Sequence, residues 1–233
     1  MRGLFSRFLS PEMVDQMIAT RDINSLNKRA DLSILFSDIR GFTTLSEKMT
    51  PEEVVSLLNP YLEVMTAIIQ KHGGTVDKYE GDAVIAFFGE PVPYADHALR
   101  AIRTAVEMRV ELAHLNQKWR AEGRLQRGLE IGIGVNTGEV FVGLLGSEQR
   151  LNYTIIGDGV NLASRLQDQT KVLGWPIVVS ERTALLVQEE FDIEFGALQA
   201  IKGKRDPVKI YKIMGRKGAA EDERVKALEG QSV

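Results

Sequence analysis

The sequence predicts an α+β domain with a central sheet and flanking helices, and three observations carry that expectation. Two long stretches have helical apolar spacing, with Val54, Leu57, Leu58, Leu62, Met65 and Ile69 in one and Leu99, Ile102, Ala105, Val106, Val110, Ala113 and Leu115 in the other. Between and around them lie short β-rich runs bounded by Gly, Asn and Asp. Their order of strand, helix, hairpin, helix, strand resembles the split βαβ arrangement of ferredoxin-like and polymerase-palm domains, here extended by C-terminal strands. Two helices would cover one sheet face and leave the other partly open, which favours a partner protomer.

The elements follow in order. Ser10-Pro11 caps a short helix with Met13, Val14, Met17 and Ile18 on its apolar side. Leu32 to Ser37 reads as the first strand. Thr50-Pro51-Glu52-Glu53 has the form of a capping box for the first long helix, which His72-Gly73-Gly74 stops. Thr75 to Tyr79 and Ala83 to Phe88 form a hairpin around Gly81, and the second long helix covers about Ala95 to Glu122. Leu129 to Val135 and Val140 to Leu145, separated by Asn136-Thr137-Gly138-Glu139, read as a second hairpin. A short strand near Tyr153 to Ile156 precedes a helix capped by Asp158. A strand at Ile177 to Ser180, a helix near Thr183 to Glu189 and strands at Phe191 to Phe195 and Val208 to Ile213 complete the domain. The expected organisation is an N-terminal segment over 1–30, one domain over 31–214 and a flexible tail over 215–233.

Composition narrows the function. With 233 residues, 44% hydrophobic and 26% charged, the chain can bury a substantial core. A net charge of −3 gives no footprint for a nucleic acid polymer, although a local pocket for one nucleotide remains open. The absence of cysteine excludes disulfides and thiolate metal sites and fits a cytoplasmic location. No apolar run reaches membrane-spanning length, and no signal peptide is visible. The first strand begins so near the start that an upstream sensor or membrane region is compatible with the sequence.

Asp38 and Asp82 carry the most chemistry. Asp38 ends an apolar run and is followed by Gly41, while Asp82 follows Gly81 at a hairpin tip. If the hairpin pairs beside the first strand, the carboxylates converge, and hard oxygen ligands favour two Mg2+ or Mn2+ bound jointly by protein and phosphates. Such a site suits phosphoryl or nucleotidyl transfer. Asn161 and Arg165 are four apart on one helix face and can reach one ligand together. His72, His97 and His114 lack a second ligand at metal spacing and read as structural.

These segments in this order, over roughly Leu32 to Ile213, resemble the class III nucleotidyl cyclase catalytic domains, the family of adenylyl and guanylyl cyclases. The resemblance implies that Asp38, Asp82 and the Ile39 carbonyl hold the metals, with the amides of Gly41, Phe42 and Thr43 facing the triphosphate. It implies that Lys78 and Thr154 read adenine. A lysine donor suits the acceptor N1 of adenine, whereas the N1–H and N2–H donors of guanine call for a carboxylate. Asn161 would orient the ribose and Arg165 would stabilise charge developing on phosphate. Lys202 matches a phosphate-binding lysine, with Lys204 close enough to be confused with it, and Arg150 matches a phosphate-contacting arginine less surely aligned. The implied partners are ATP and a second copy of the chain, in a homodimer whose two composite sites each draw on both protomers. A guanylyl cyclase and a non-catalytic nucleotide-binding module are the alternatives; Lys78 stands against the first, and the joint presence of Asp38, Asp82, Asn161 and Arg165 against the second. A diguanylate cyclase is disfavoured because Glu80-Gly81-Asp82 occupies the hairpin tip.

Overall fold

The computed structural model describes residues 26–147, 149–200, 207–219 and 225. The expected helix at residues 11–18 and Lys202 lie outside them. The elements in chain order are β1 (Lys28–Ile39), α1 (Phe42–Ser46), α2 (Pro51–Lys71), β2 (Gly74–Glu80), β3 (Ala83–Phe88), α3 (His97–Ala121), β4 (Ile131–Ser147), β5 (Arg150–Ile156), α4 (Asp158–Val172), β6 (Ile177–Ser180), α5 (Glu181–Val187), β7 (Phe191–Gln199) and β8 (Val208–Arg216). The sheet order is β2-β3-β1-β4-β6-β8-β7, with β5 paired to β4. Its first four strands, β2-β3-β1-β4, form an antiparallel set with β1 at the centre, and β6 then joins β4 in parallel. The α+β expectation therefore holds, ferredoxin-like half and C-terminal strands included.

Alternation along β1 divides the core. Leu35 and Ile39 face the layer built with Leu57, Tyr61, Met65 and Ile69 of α2 and Ala101, Ile102 and Ala105 of α3. Leu32, Ile34 and Phe36 face the other side, where Tyr153 and Ile155 of β5 and Ala163 of α4 cover them. The second sheet face is thus less open than expected, because β5 and α4 fold back over it.

Helix α2 starts at the expected capping box: Thr50 N–H donates to Glu53 Oε2 at 2.7 Å and Glu53 N–H to Thr50 Oγ1 at 3.3 Å. It ends at Gly73, whose φ of 74° is readily adopted by glycine. Pro60 lies inside it, so the carbonyl of Ser56 has no N–H four residues on to accept from. Arg124 Nη2 donates to that carbonyl at 2.8 Å, which satisfies it and allows the helix to run on.

Three expectations need correction. Residues 131–147 form one continuous strand, not a hairpin. Asn136, Thr137, Gly138 and Glu139 stay in register opposite Ile34, Ser33, Leu32 and Asp31. The polar side chains that signalled a turn are satisfied inside the sheet: Thr137 Oγ1 lies 2.7 Å from Ser33 Oγ and accepts from Thr183 Oγ1 at 3.0 Å, and Asn136 Nδ2 donates to the Gly159 carbonyl at 2.9 Å. Asp158 is the first residue of α4, not its cap; Gly157 occupies the cap and no side chain accepts there. Asp158 instead places negative charge in the first turn, where the helix dipole favours it. Finally, β8 continues through Gly215 to Arg216, two residues past the expected edge of the tail, and Val225 is buried with its N–H donating to the Met214 carbonyl at 3.0 Å.

Candidate active site

β1 ends where the β2–β3 turn comes alongside it, and this brings Asp38 and Asp82 together. The Ile39 N–H donates to Asp82 Oδ2 at 3.0 Å. Burial, together with hydrogen bonding and negative charge from Asp82, raises the Asp38 carboxyl to about 7. Two carboxylates that strain to share a proton form a natural seat for a divalent cation, so the donor set fits Mg2+ or Mn2+. Asp38 continues the parity of Leu32, Ile34 and Phe36 and belongs to the sheet face occupied by β5 and α4.

Arg40 was not singled out from the sequence. Its half-buried guanidinium is drawn to Asp38, Glu130 and Asp168, and its Nη2 donates to Thr170 Oγ1 on α4. It therefore links the acidic end of β1 to the helix that carries Asn161 and Arg165. The spacing Asp38-x-Arg40, which keeps two side chains on one face of an extended chain, was the available signal. On the other face, Ser37 and Tyr61 bury their hydroxyls under the pair, where burial raises the Tyr61 phenol.

Helix α4 lies close on β4 because β4 has glycine at the crossings. A Cβ on Gly134 would meet Gln167 N at 2.2 Å and the Ala163 carbonyl at 2.5 Å, and one on Gly132 would meet Thr170 Oγ1 at 2.3 Å. Asn161, exposed in the first turn, and Arg165, half-buried one turn on, stand on this helix as the four-residue spacing predicts.

Asp77, which no local motif marks, pairs with Lys78 and has Thr154 in its surroundings. β2 and β3 shift register between Val76 and Lys78, so Asp77 is the extra residue of a bulge. Its side chain is only 3% exposed and lies 3.2 Å from Lys78 Nζ. Thr154 on β5 is buried, and β5 touches β2. Burial raises Asp77, while the nearby Thr154 hydroxyl and Lys78 ammonium favour its ionised form. Adjacent charges at Asp77 and Lys78, which interrupt the alternation expected of a strand, were the signal for the bulge.

Gly41 precedes α1 with φ 64°, Phe42 is buried in the helix-side core and Thr43 is exposed. Arg150 begins β5, its backbone opposite Ser147. The histidines are structural in their contacts: His72 pairs with Glu107 at 2.8 Å, His97 with Ser33 at 2.9 Å and His114 with Glu111 at 3.3 Å. Among the described residues, no helix is long and apolar enough to cross a membrane.

The family model described as "Adenylate and Guanylate cyclase catalytic domain" matches residues 25–215. Adenylate cyclase 1 of Rhizobium meliloti is 34% identical over 189 residues, covering 80% of this chain and 28% of that protein. The adenylate cyclase of Anabaena cylindrica is 35% identical over 222 residues, covering 90% of this chain and 42% of that protein. The chain thus spans less than half the length of these curated relatives. Among solved structures, the adenylyl cyclase CyaB from P. aeruginosa superposes with a TM-score of 0.75 at 41% identity, covering 80% of this chain and 95% of that one. The guanylyl cyclase Cya2 superposes with a TM-score of 0.74 at 38% identity, covering 84% and 97%.

Proposed function

Since the chain belongs to the adenylate and guanylate cyclase catalytic domain family, we propose that it converts ATP to 3',5'-cyclic AMP and pyrophosphate at two composite sites of a homodimer. The observation that carries this reading is the facing pair Asp38 and Asp82, tied by the Ile39 N–H and poised to exchange a shared proton for cations. Asp38, Asp82 and the Ile39 carbonyl would hold two Mg2+ or Mn2+. When bound, these ions supply Lewis acidity toward the triphosphate and the ribose 3'-hydroxyl.

The remaining roles fall to the chain's own residues. Lys78 donates to adenine N1 and Thr154 accepts from the exocyclic amino group. Asn161 orients the ribose so that the 3'-oxygen lies in line with the α-phosphorus. The O3'–Pα bond forms as the bond from Pα to the bridging oxygen breaks, and Arg165 neutralises the charge that develops there. Amides of Gly41, Phe42 and Thr43 face the triphosphate, and Lys202 and Arg150 add positive charge around it. No side-chain base is assigned, and the 3'-proton passes to solvent or to substrate phosphate.

Support for the dimer comes from the β4–β5 arm, where Phe141, Leu145, Leu151 and Ile156 expose apolar side chains. In this reading Asp38 and Asp82 of one protomer complete a site with Lys78, Thr154, Asn161, Arg165 and Lys202 of the other. The domain would work in the cytoplasm, joined in a longer protein to an upstream sensor or membrane region.

The test is product formation from ATP and, separately, GTP with Mg2+ or Mn2+, resolved by chromatography over a series of protein concentrations. Cyclic AMP, with specific activity rising with concentration, is expected. Cyclic GMP alone would overturn the base assignment, and no cyclic product from a proven dimer would overturn the cyclase reading.

A further inference from the structure

Thr154 leaves the choice of base ambiguous, because a hydroxyl can donate to guanine O6 as readily as it accepts from the adenine amino group. The bulge at Asp77 removes that ambiguity. The carboxylate sits between the two proposed base readers: Lys78 Nζ is 3.2 Å from Oδ2, while Oδ1 and Thr154 Oγ1 are both buried without a hydrogen bond of ordinary geometry to any other group. An acceptor oxygen of Asp77 buried beside a buried hydroxyl is best satisfied with the hydroxyl proton directed at it. Hydrogen bonding from Thr154 is among the influences that favour the charged form of Asp77.

We propose that Asp77 is a positioning residue for purine selection: its carboxylate anchors the Lys78 ammonium and accepts a hydrogen bond from the Thr154 hydroxyl, so that toward the base Lys78 only donates and Thr154 only accepts. Adenine, with N1 as acceptor and the amino group as donor, matches both positions. Guanine, with N1–H as donor and O6 as acceptor, mismatches both. Selectivity then resides in a residue that does not touch the base. The inference rests on the adenylyl cyclase reading and deepens it.

The test compares ATP and GTP in wild type and Asp77→Asn. An asparagine is isosteric, but its amide donates to the threonine oxygen and frees the hydroxyl proton to face the base, and it no longer anchors Lys78 by charge. The ratio of kcat/KM for ATP over GTP is expected to fall about tenfold or more, the effect of one buried polar mismatch. In a Thr154→Val background the same substitution should change the ratio no further than its effect through Lys78. A ratio within about twofold of wild type, with kcat lowered equally for both nucleotides, overturns the proposal and leaves Asp77 a structural residue. Dissociation constants for ATP and GTP, measured by calorimetry in Mg2+ buffer, read the same ratio without turnover. A wild type that binds but does not cyclise therefore counts against the cyclase reading, while equal binding ratios in wild type and variant count against this one. If Asp77→Asn does not fold, Thr154→Val and Thr154→Ser read the hydroxyl directly. Retained selectivity in the valine variant overturns the proposal; selectivity lost in valine and kept in serine supports it.

Discussion

The Ile39 N–H donates to Asp82 Oδ2 at 3.0 Å, joining the end of β1 to the turn between β2 and β3. One oxygen of Asp82 thus sets the backbone beside Asp38, and its charge also opposes the charge on Asp38. The two tasks separate by mutation. Asp82→Asn keeps a carbonyl acceptor for Ile39 and removes the like charge. In chelator it should melt no lower than wild type, while metal-dependent turnover falls by about a hundredfold or more. Asp82→Ala should lose the same activity and also about 1 kcal/mol of the hydrogen-bond contribution, partly offset by relief of repulsion. Thermal melts in chelator, set against turnover, check the separation.

The raised Asp38 carboxyl predicts a pH dependence with a definite sign. Its folded value of about 7 exceeds the ordinary 3.8, so between these limits the folded chain keeps a proton that the unfolded chain has released. Stability contributed by this group is therefore present at low pH and lost as pH rises through about 7. In chelator the melting temperature should fall from pH 5 to pH 8 by more in wild type than in Asp38→Asn. Mn2+ at pH 8 should restore it in wild type alone. A slope unchanged by Asp38→Asn would refute the shared-proton description.

Gly134→Ala tests the seat of α4. The added methyl would stand 2.2 Å from the Gln167 nitrogen, which is backbone and cannot rotate away. The helix must shift, at a cost of about 1–3 kcal/mol, and because Asn161 and Arg165 ride on it, kcat should fall beyond what lost folding explains. Gly138→Ala in the same strand is the control, since its nearest neighbour is 3.8 Å away. Melts and steady-state kinetics on both variants decide.

Under the composite-site proposal, mixing is informative. Asp38→Ala and Arg165→Ala should each be inactive alone. Mixed equally, half of the dimers combine the two variants and each of these has one intact site, so activity should recover to about a quarter of wild type. No recovery with proven heterodimers would place each site within one protomer.

Much of the fold was legible because local signals agreed with burial: the Thr50–Glu53 box, the Gly73 stop and the Ile177–Ser180 strand stand where the residues predict. The long strand β4 was not, because Asn136-Thr137-Gly138 has the composition of a turn and only Ser33, Thr183 and Gly159, distant in sequence, supply the partners that keep it extended. The same holds at the site. Asp38 and Asp82 announced themselves by position, and the structure brings them together. Arg40 depends on a hydrogen bond to Thr170 of α4 and Asp77 on a bulge, and neither is a property of a short window of sequence.

The single strand of residues 131–147 has Gly132 opposite Asp38 at one end and Gly143 opposite Thr154 near the other. It is a common beam under Asp38 at the acidic end and Thr154, the proposed base reader, at the other. A deformation that twists it cannot retune one end alone: cation affinity and base discrimination would shift in concert, and an upstream input reaching this beam would act as a single gain control over both.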